Sequence, residues 1–227
     1  MDWGALRLSL ALGACTVTVL APVAILLAAG MAYGRFRGKA ALEALLMTPL
    51  VLPPTVLGFY LLVAMGPGSP LGRAWTALTG QGLAFSFSGL LLASAILNLP
   101  FFVQPLATAL AGVEAGYLEA AATLGAGPVS RLFRVALPLA WRGLAAGAVL
   151  SFAHTLGEFG VVLMVGGDLP GRTRTASIAV FDQVQALDLQ AAGRTSLVLL
   201  ALAFLLLLGL SLLKRAGQRG PEAPWSF

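Results

Sequence analysis

Charge is what this 227-residue chain has least of. Only 10% of its residues are Asp, Glu, Lys or Arg, against roughly 25% in a soluble domain. That scarcity excludes a disordered chain. It also excludes a nucleic-acid-binding protein, despite a net charge of +5. There is one cysteine, Cys15, so no intrachain disulfide can form. There is one histidine, His154, and one His with one Cys does not make a metal site. The phosphate-cradling pattern Gly-x-x-x-x-Gly-Lys-Ser/Thr is missing: Gly38-Lys39 lacks both the earlier glycine and the following hydroxyl. A membrane enzyme built on His154 and Glu158 would lack a nucleophile, base and orienting group. No internal repeat or low-complexity stretch is evident.

What the chain has is apolar length. Hydrophobic residues make up 59% of it and mean hydropathy is +0.91. At about 20 apolar residues per crossing, that suffices for five or six membrane spans and leaves no room for a soluble enzyme domain. The expected fold is all-α: a polytopic helical bundle in the lipid bilayer, with short loops. Leu12-Gly13-Ala14-Cys15 loosely resembles a lipoprotein cleavage box. However, Arg7 is offset by Asp2, and the apolar run continues past Cys15 to Tyr33, too long for a signal segment. An uncleaved first helix is expected.

The apolar runs predict spans at about 8–33, 45–65, 83–106, 139–165 and 195–213, forming one membrane domain over 8–213 with a tail at 214–227. Arg35, Arg37, Lys39, Arg131, Arg134, Arg142, Lys214, Arg215 and Arg219 fall on one side, and Arg7, Arg73, Arg172, Arg174 and Arg194 on the other. The richer side is expected to be cytoplasmic, which places the N-terminus outside and the C-terminus inside. Residues 175–192 are too polar for a lipid-exposed span, with Asp182, Gln183, Gln185, Asp188 and Gln190. Ile178, Phe181, Val184, Leu187 and Ala191 recur at helical spacing, so an outer-surface or re-entrant amphipathic helix is expected.

The most informative stretch runs from Glu119 to Pro138. Tyr117–Leu124 is strong helix former, with alanine at 120, 121 and 122. Gly125 and Gly127 can end that helix, Pro128 suits the first turn of a second, and Pro138 ends the second or starts the next span. Glu119 is expected near the positive end of its helix, and Arg131 and Arg134 on one outer face of the next. Two short helices at a sharp bend follow. By their physics alone they serve equally as a docking surface or as packing against the bundle.

A resemblance separates those readings. Glu119, Ala120, Ala121, Gly125, Val135, Leu137 and Pro138 stand at the spacing of the EAA loop of bacterial ABC importer permeases, with Val135 where isoleucine is commoner. In that family the loop, here including Gly127, docks on a cytoplasmic ATP-binding subunit. Pro49–Gly58, Thr123–Gly127, Leu156–Gly160 and Gly171–Thr175 resemble the molybdate branch in particular, and permeases for sulfate and other oxyanions share much of this vocabulary. The resemblance implies a type-1 transmembrane domain in the bacterial inner membrane, paired with a second copy of itself. It implies two ATP-binding subunits that use ATP and Mg, no cofactor on this chain, and a periplasmic or lipid-anchored molybdate-binding protein as donor. An ion-coupled secondary transporter, with Glu158 as proton carrier, remains the rival.

Within the spans, Pro53 and Pro54 each remove a backbone donor, which reads as a gate-adjacent hinge or as a static kink. Glu158 is an ionisable residue in an apolar run, with His154 four residues earlier, and Gly157 and Gly160 permit close helix approach. Glu158 should not bind an oxyanion directly. A gate, a contact with the second subunit and a buried structural hydrogen bond all remain open. Arg172 and Arg174 are expected at the outer mouth, attracting an oxyanion or a binding protein's acidic surface, or simply solvated.

Overall fold

A computed structural model describes residues 2–216, and its regular structure there is all helical. The first helix, α1, runs Trp3–Tyr33 with Pro22 inside it, and Asp2 caps it by accepting from the Ala5 N–H at 2.9 Å. Next come α2 (Lys39–Val51), α3 (Pro54–Met65) and α4 (Pro70–Thr79). Helix α5 (Phe87–Ala111) starts where Ser86 accepts from the Gly89 N–H at 3.1 Å, and it continues through Pro100 and Pro105. It therefore begins and ends later than the 83–106 span read from the sequence. Short helices α6 (Ala115–Thr123), α7 (Pro128–Arg131) and α8 (Leu137–Leu139) precede α9 (Trp141–Gly157), with a π-helical turn at Leu132–Ala136 between α7 and α8. The chain closes with α10 (Gly160–Gly166), α11 (Ala176–Gln185) and α12 (Leu189–Ala216). The tail beyond Ala216, including Arg219, lies outside the described residues.

Helices α1, α5 and α9 form the core. α1 and α5 run parallel: Leu12 packs with Leu90 at one end, and the Tyr33 hydroxyl donates to the Leu110 carbonyl at 2.8 Å at the other. α9 runs antiparallel to α5. A Cβ on Gly143 would lie 2.8 Å from the Pro105 carbonyl, and one on Gly147 2.8 Å from the Phe102 carbonyl. These close approaches need small residues, because packing rather than the hydrophobic effect joins helices in lipid. α12 lies outside the core with Leu197, Leu200, Phe204 and Leu205 exposed, as a lipid-facing helix should be.

Three expected elements are corrected. The 45–65 span is two helices: Pro53 cannot donate to the ladder, Leu52 is extended, and α3 leaves α2 at 111°. The 139–165 span is likewise broken, because α9 ends at Gly157, Glu158 is extended (ψ 130°), and α10 restarts at Gly160. The 175–192 helix splits. α11 stops at Gln185, Leu187 turns the chain at φ +59°, and α12 has begun by Leu189. Ile178 is buried, but Leu187 is 82% exposed, so the anticipated single apolar face is not formed.

Candidate functional site

At the end of the bundle marked by Tyr33 and Leu110, α6 and α7 make the bend anticipated from Glu119–Pro138. Leu124 ends α6; the Gly125 N–H donates to the Ala122 carbonyl at 2.9 Å and the Ala126 N–H to the Ala121 carbonyl at 3.0 Å. This pair of bonds is a Schellman motif, and it requires a left-handed residue at Gly125, whose φ is +83°. Gly127 is extended, and Pro128 opens α7. Glu119, Ala120, Gly125 and Gly127 are exposed and Ala121 is half-buried, so the bend faces outward rather than packing inward. Val135 and Leu137 are half-buried behind it, and Pro138 is exposed.

Two local expectations fail here. α6 begins at Ala115, so Glu119 sits in its second turn and Glu114 takes the N-cap position. Arg131 and Arg134 do not share a face. The π turn shifts the helical register after Arg131, whose Nε is buried beside Tyr33, Leu118 and Leu132 without a hydrogen-bond partner, while Arg134 is exposed. Sequence reading also missed the large apolar side chains exposed here. Tyr117, Leu124 and Val129 are 56%, 88% and 71% exposed, an apolar rim around the bend. Their only sequence signal was large apolar residues set among alanines and glycines.

A second site forms where the two broken helices meet. The N-terminus of α3 rests on that of α10, so a Cβ on Gly160 would lie 2.7 Å from Pro54 Cβ, and one on Gly58 2.8 Å from Met164 Cβ. Gly157 has open space around it, so the close approach falls to Gly160 and Gly58. Pro53 leads α3 and is exposed. Glu158 lies in the break, not inside a continuous helix. Its Oε1 accepts from the Val161 N–H at 2.8 Å, capping the first turn of α10, and its carbonyl accepts from the Ser177 hydroxyl at 2.6 Å. His154 Nε2 stands 4.0 Å from Glu158 Oε2, and its ring stacks on Phe101 with centroids 4.1 Å apart. The break exposes backbone at a depth where only protein or a cavity can satisfy it, and the Glu158 carboxylate supplies part of that satisfaction.

At the opposite end from the bend, Arg172 and Arg174 separate. Arg174 is clamped: it bonds Asp168 through two nitrogens, Nη2 to Oδ2 at 2.7 Å, and lies 3.3 Å from Asp182 Oδ2. It is therefore tied within the chain and is not a free cation at the mouth. Arg172 is exposed and shares an open cleft of about 530 Å³ with Arg7, Gln81, Ser86 and Ser88. The hydrogen bond from Arg174 lowers the Asp168 pKa, whereas burial and then the hydrogen bond to Asp168 raise that of Asp182. A depressed carboxylate stabilises the fold above its unfolded value and loses that contribution as pH falls through its folded value. Amide exchange over 167–182, taken as protection relative to the intrinsic rate at each pH, should therefore stay slow at neutral pH and lose protection only below the ordinary carboxylate range. Asp168→Asn should quicken it at neutral pH already; unchanged exchange in that variant would show that the clamp holds nothing.

No group of three or more His, Cys, Asp or Glu side chains able to hold a metal ion occurs among the described residues.

Comparison with known proteins adds the following. Residues 21–218 match the family described as binding-protein-dependent transport system inner membrane component. A molybdenum transport system permease protein of Azotobacter vinelandii is 49% identical over 188 residues, 82% of this chain and 83% of that one. Its counterpart in Escherichia coli K12 is 38% identical over 91% of both chains. A sulfate transport system permease of the same strain is 34% identical over 82% of this chain and 67% of its own. Among solved structures, a bacterial alginate ABC transporter in complex with an alginate-bound periplasmic protein superimposes with a TM-score of 0.73 at 15% identity, covering 95% of this chain and 79% of that one. This likeness establishes the fold.

Proposed function

Because the chain belongs to the family of binding-protein-dependent transport system inner membrane components, as a multi-pass transport permease, we propose that it is the translocating subunit of an ATP-driven importer whose cargo is molybdate. The observation that carries this reading is the outward-facing bend at Glu119–Gly127. A bilayer protein with few loops fixes this one by a Schellman turn and surrounds it with exposed Tyr117, Leu124 and Val129. Such a rim suits insertion into a groove of a partner, and the chain has no phosphate-binding loop of its own. The partner is an ATP-binding subunit using ATP and Mg, one per copy of this chain.

Molybdate is favoured by the relatives, which are more similar among molybdenum permeases than in the sulfate permease. The side bearing the bend faces the cytoplasm, by its arginines, so the N-terminus lies outside and the C-terminus inside. A periplasmic or lipid-anchored binding protein delivers cargo to the outer end, where Arg172 and Arg7 give an exposed cationic cleft. Two copies of the chain enclose the pathway. Val51, Phe59, Tyr60 and Val63, exposed beside the break of the second span, suit that contact. Nucleotide binding and hydrolysis in that partner, transmitted through the bend, then shift a two-state bundle between its outward- and inward-open forms. Glu158 serves as a structural cap at the junction of α3 and α10, which argues against the ion-coupled alternative, since a proton carrier must exchange with water.

Reconstitution tests the reading. Liposomes containing this chain, its ATP-binding subunit and its binding protein should accumulate labelled molybdate only with internal ATP. They should ignore an imposed proton gradient. Uptake driven by that gradient without ATP would overturn the importer assignment, and ATP-driven uptake of sulfate in preference to molybdate would overturn the cargo.

A further inference from the structure

Between the hydrophobic clusters at the two ends of α1, α5 and α9 lies a layer of polar side chains. Thr16, Ser94, Asn98, Ser151 and Thr155 are each at most 2% exposed. Direct contacts set their register. Asn98 Nδ2 donates to Thr155 Oγ1 at 3.0 Å, and Gly147 packs on Phe102, so Ser151 on α9 lies one turn from each contact, facing Asn98. On α1, Thr16 falls between Leu12, which packs with Leu90, and Leu20, which packs in the cluster of Phe102. Thr16 is thus level with the Ser94–Asn98 turn of α5, and the five residues occupy a band about one helical turn, roughly 6 Å, deep.

Their hydrogen bonding is incomplete. Asn98 Nδ2 also donates to the Ser94 carbonyl, and the Thr155 hydroxyl donates to the Ser151 carbonyl, both at 2.8 Å. Thr16 Oγ1, Ser94 Oγ, Asn98 Oδ1 and Ser151 Oγ find no partner in the protein. A buried helical hydroxyl ordinarily gives its proton to the carbonyl four residues back. Thr155 does so in the core and Thr18, Thr48 and Thr76 do so on exposed faces, but Thr16, Ser94 and Ser151 do not. Four buried oxygens on three helices therefore lie within this one-turn band without protein partners, where dry burial is costly.

We propose that this layer is a hydration site, in which bound water joins α1, α5 and α9 at mid-bundle. The chemistry selects water over a cation. The layer contains no carboxylate, and three of its four free groups are hydroxyls that can donate as well as accept, which a water can reciprocate. Side chains here are small, whereas the clusters above and below are filled by Leu and Phe.

The test is the sign of a stability change. Thr16→Val, Ser94→Ala and Ser151→Ala each remove one unpaired hydroxyl with little change of shape. In a dry layer each would raise the melting temperature of the purified chain. Around shared water each should lower it by about 2–4 °C, the shift expected of one lost buried hydrogen bond in a chain this size, and the Thr16→Val/Ser94→Ala double variant should fall by less than the sum. X-ray radiolysis in H2¹⁸O should label Leu97 or Phe102, buried beside the layer, in the parent and not in Ser151→Ala. Raised melting temperatures without labelling would overturn the proposal. So would a stabilisation by sodium or potassium chloride over choline chloride that vanishes in Ser151→Ala, because the occupant would then be a cation. The two serine variants stand if Thr16→Val does not fold.

Discussion

Gly125→Val should abolish molybdate-dependent ATP hydrolysis and uptake while leaving the chain inserted and folded. Position 125 has a φ of +83° and closes the Schellman turn that ends α6. A left-handed conformation costs an L-residue about 1–2 kcal/mol, and a β-branched one is a genuine outlier there. The cheapest escape is to unwind the turn. That would release the Gly125 and Ala126 amide bonds and redirect α7, and Val129 with it. Because Gly125 is exposed, with open space around it, the bundle core would not register the change. The measurements are membrane-fraction abundance, co-purification of the ATP-binding subunit, and uptake. A large loss of uptake at normal abundance is the expected result. Wild-type coupling would remove the bend from the mechanism, and loss of the chain itself would make the bend structural. Gly125→Asn, which tolerates the left-handed region better, should restore part of the activity.

Gly160→Val should collapse the junction of the two broken helices. Its first added carbon would meet Pro54 Cβ at 2.7 Å, closer than carbon atoms pack, and the proline ring cannot swing away. Overpacking of this kind costs about 1–3 kcal/mol, and here it also pushes α10 off the Glu158 cap. Melting temperature should fall and transport should be lost. Glu158→Gln keeps an acceptor for the Val161 amide and should be mild; Glu158→Ala should lose about 1 kcal/mol, as a lost cap does. If Glu158→Gln and Glu158→Ala were equally inactive at unchanged stability, the carboxylate charge itself would take part in gating, contrary to the capping role.

Much of this molecule is written in its composition. Long apolar stretches separated by arginine-bearing loops point to membrane helices, and among the described residues three helices are long and apolar enough to cross, or up to five with each bent pair counted as one span. The bend was legible because it depends on near neighbours. Three alanines favour helix, Gly125 turns left-handed, Pro128 restarts the helix, and each effect acts within a few residues. Residues 45–65 were read as one proline-interrupted span. The prolines marked the place of the break, but a missing amide does not specify the 111° to which α3 swings. That angle follows from Gly58 and Gly160 letting α3 settle on α10, a contact between segments about a hundred residues apart.

Local pattern determined that the chain is an all-helical membrane protein, where its bend at Glu119–Gly127 lies, and which residues shape that bend. Only the tertiary structure decided that Glu158 caps a restarted helix, that Arg174 is spent on Asp168 and Asp182, and that Leu124 stands exposed while Leu90 is sealed. The physical reason is that apolar periodicity is nearly silent when lipid and protein interior are equally apolar. A leucine facing hydrocarbon and a leucine facing a neighbouring helix look the same in sequence, and only the packed partner tells them apart.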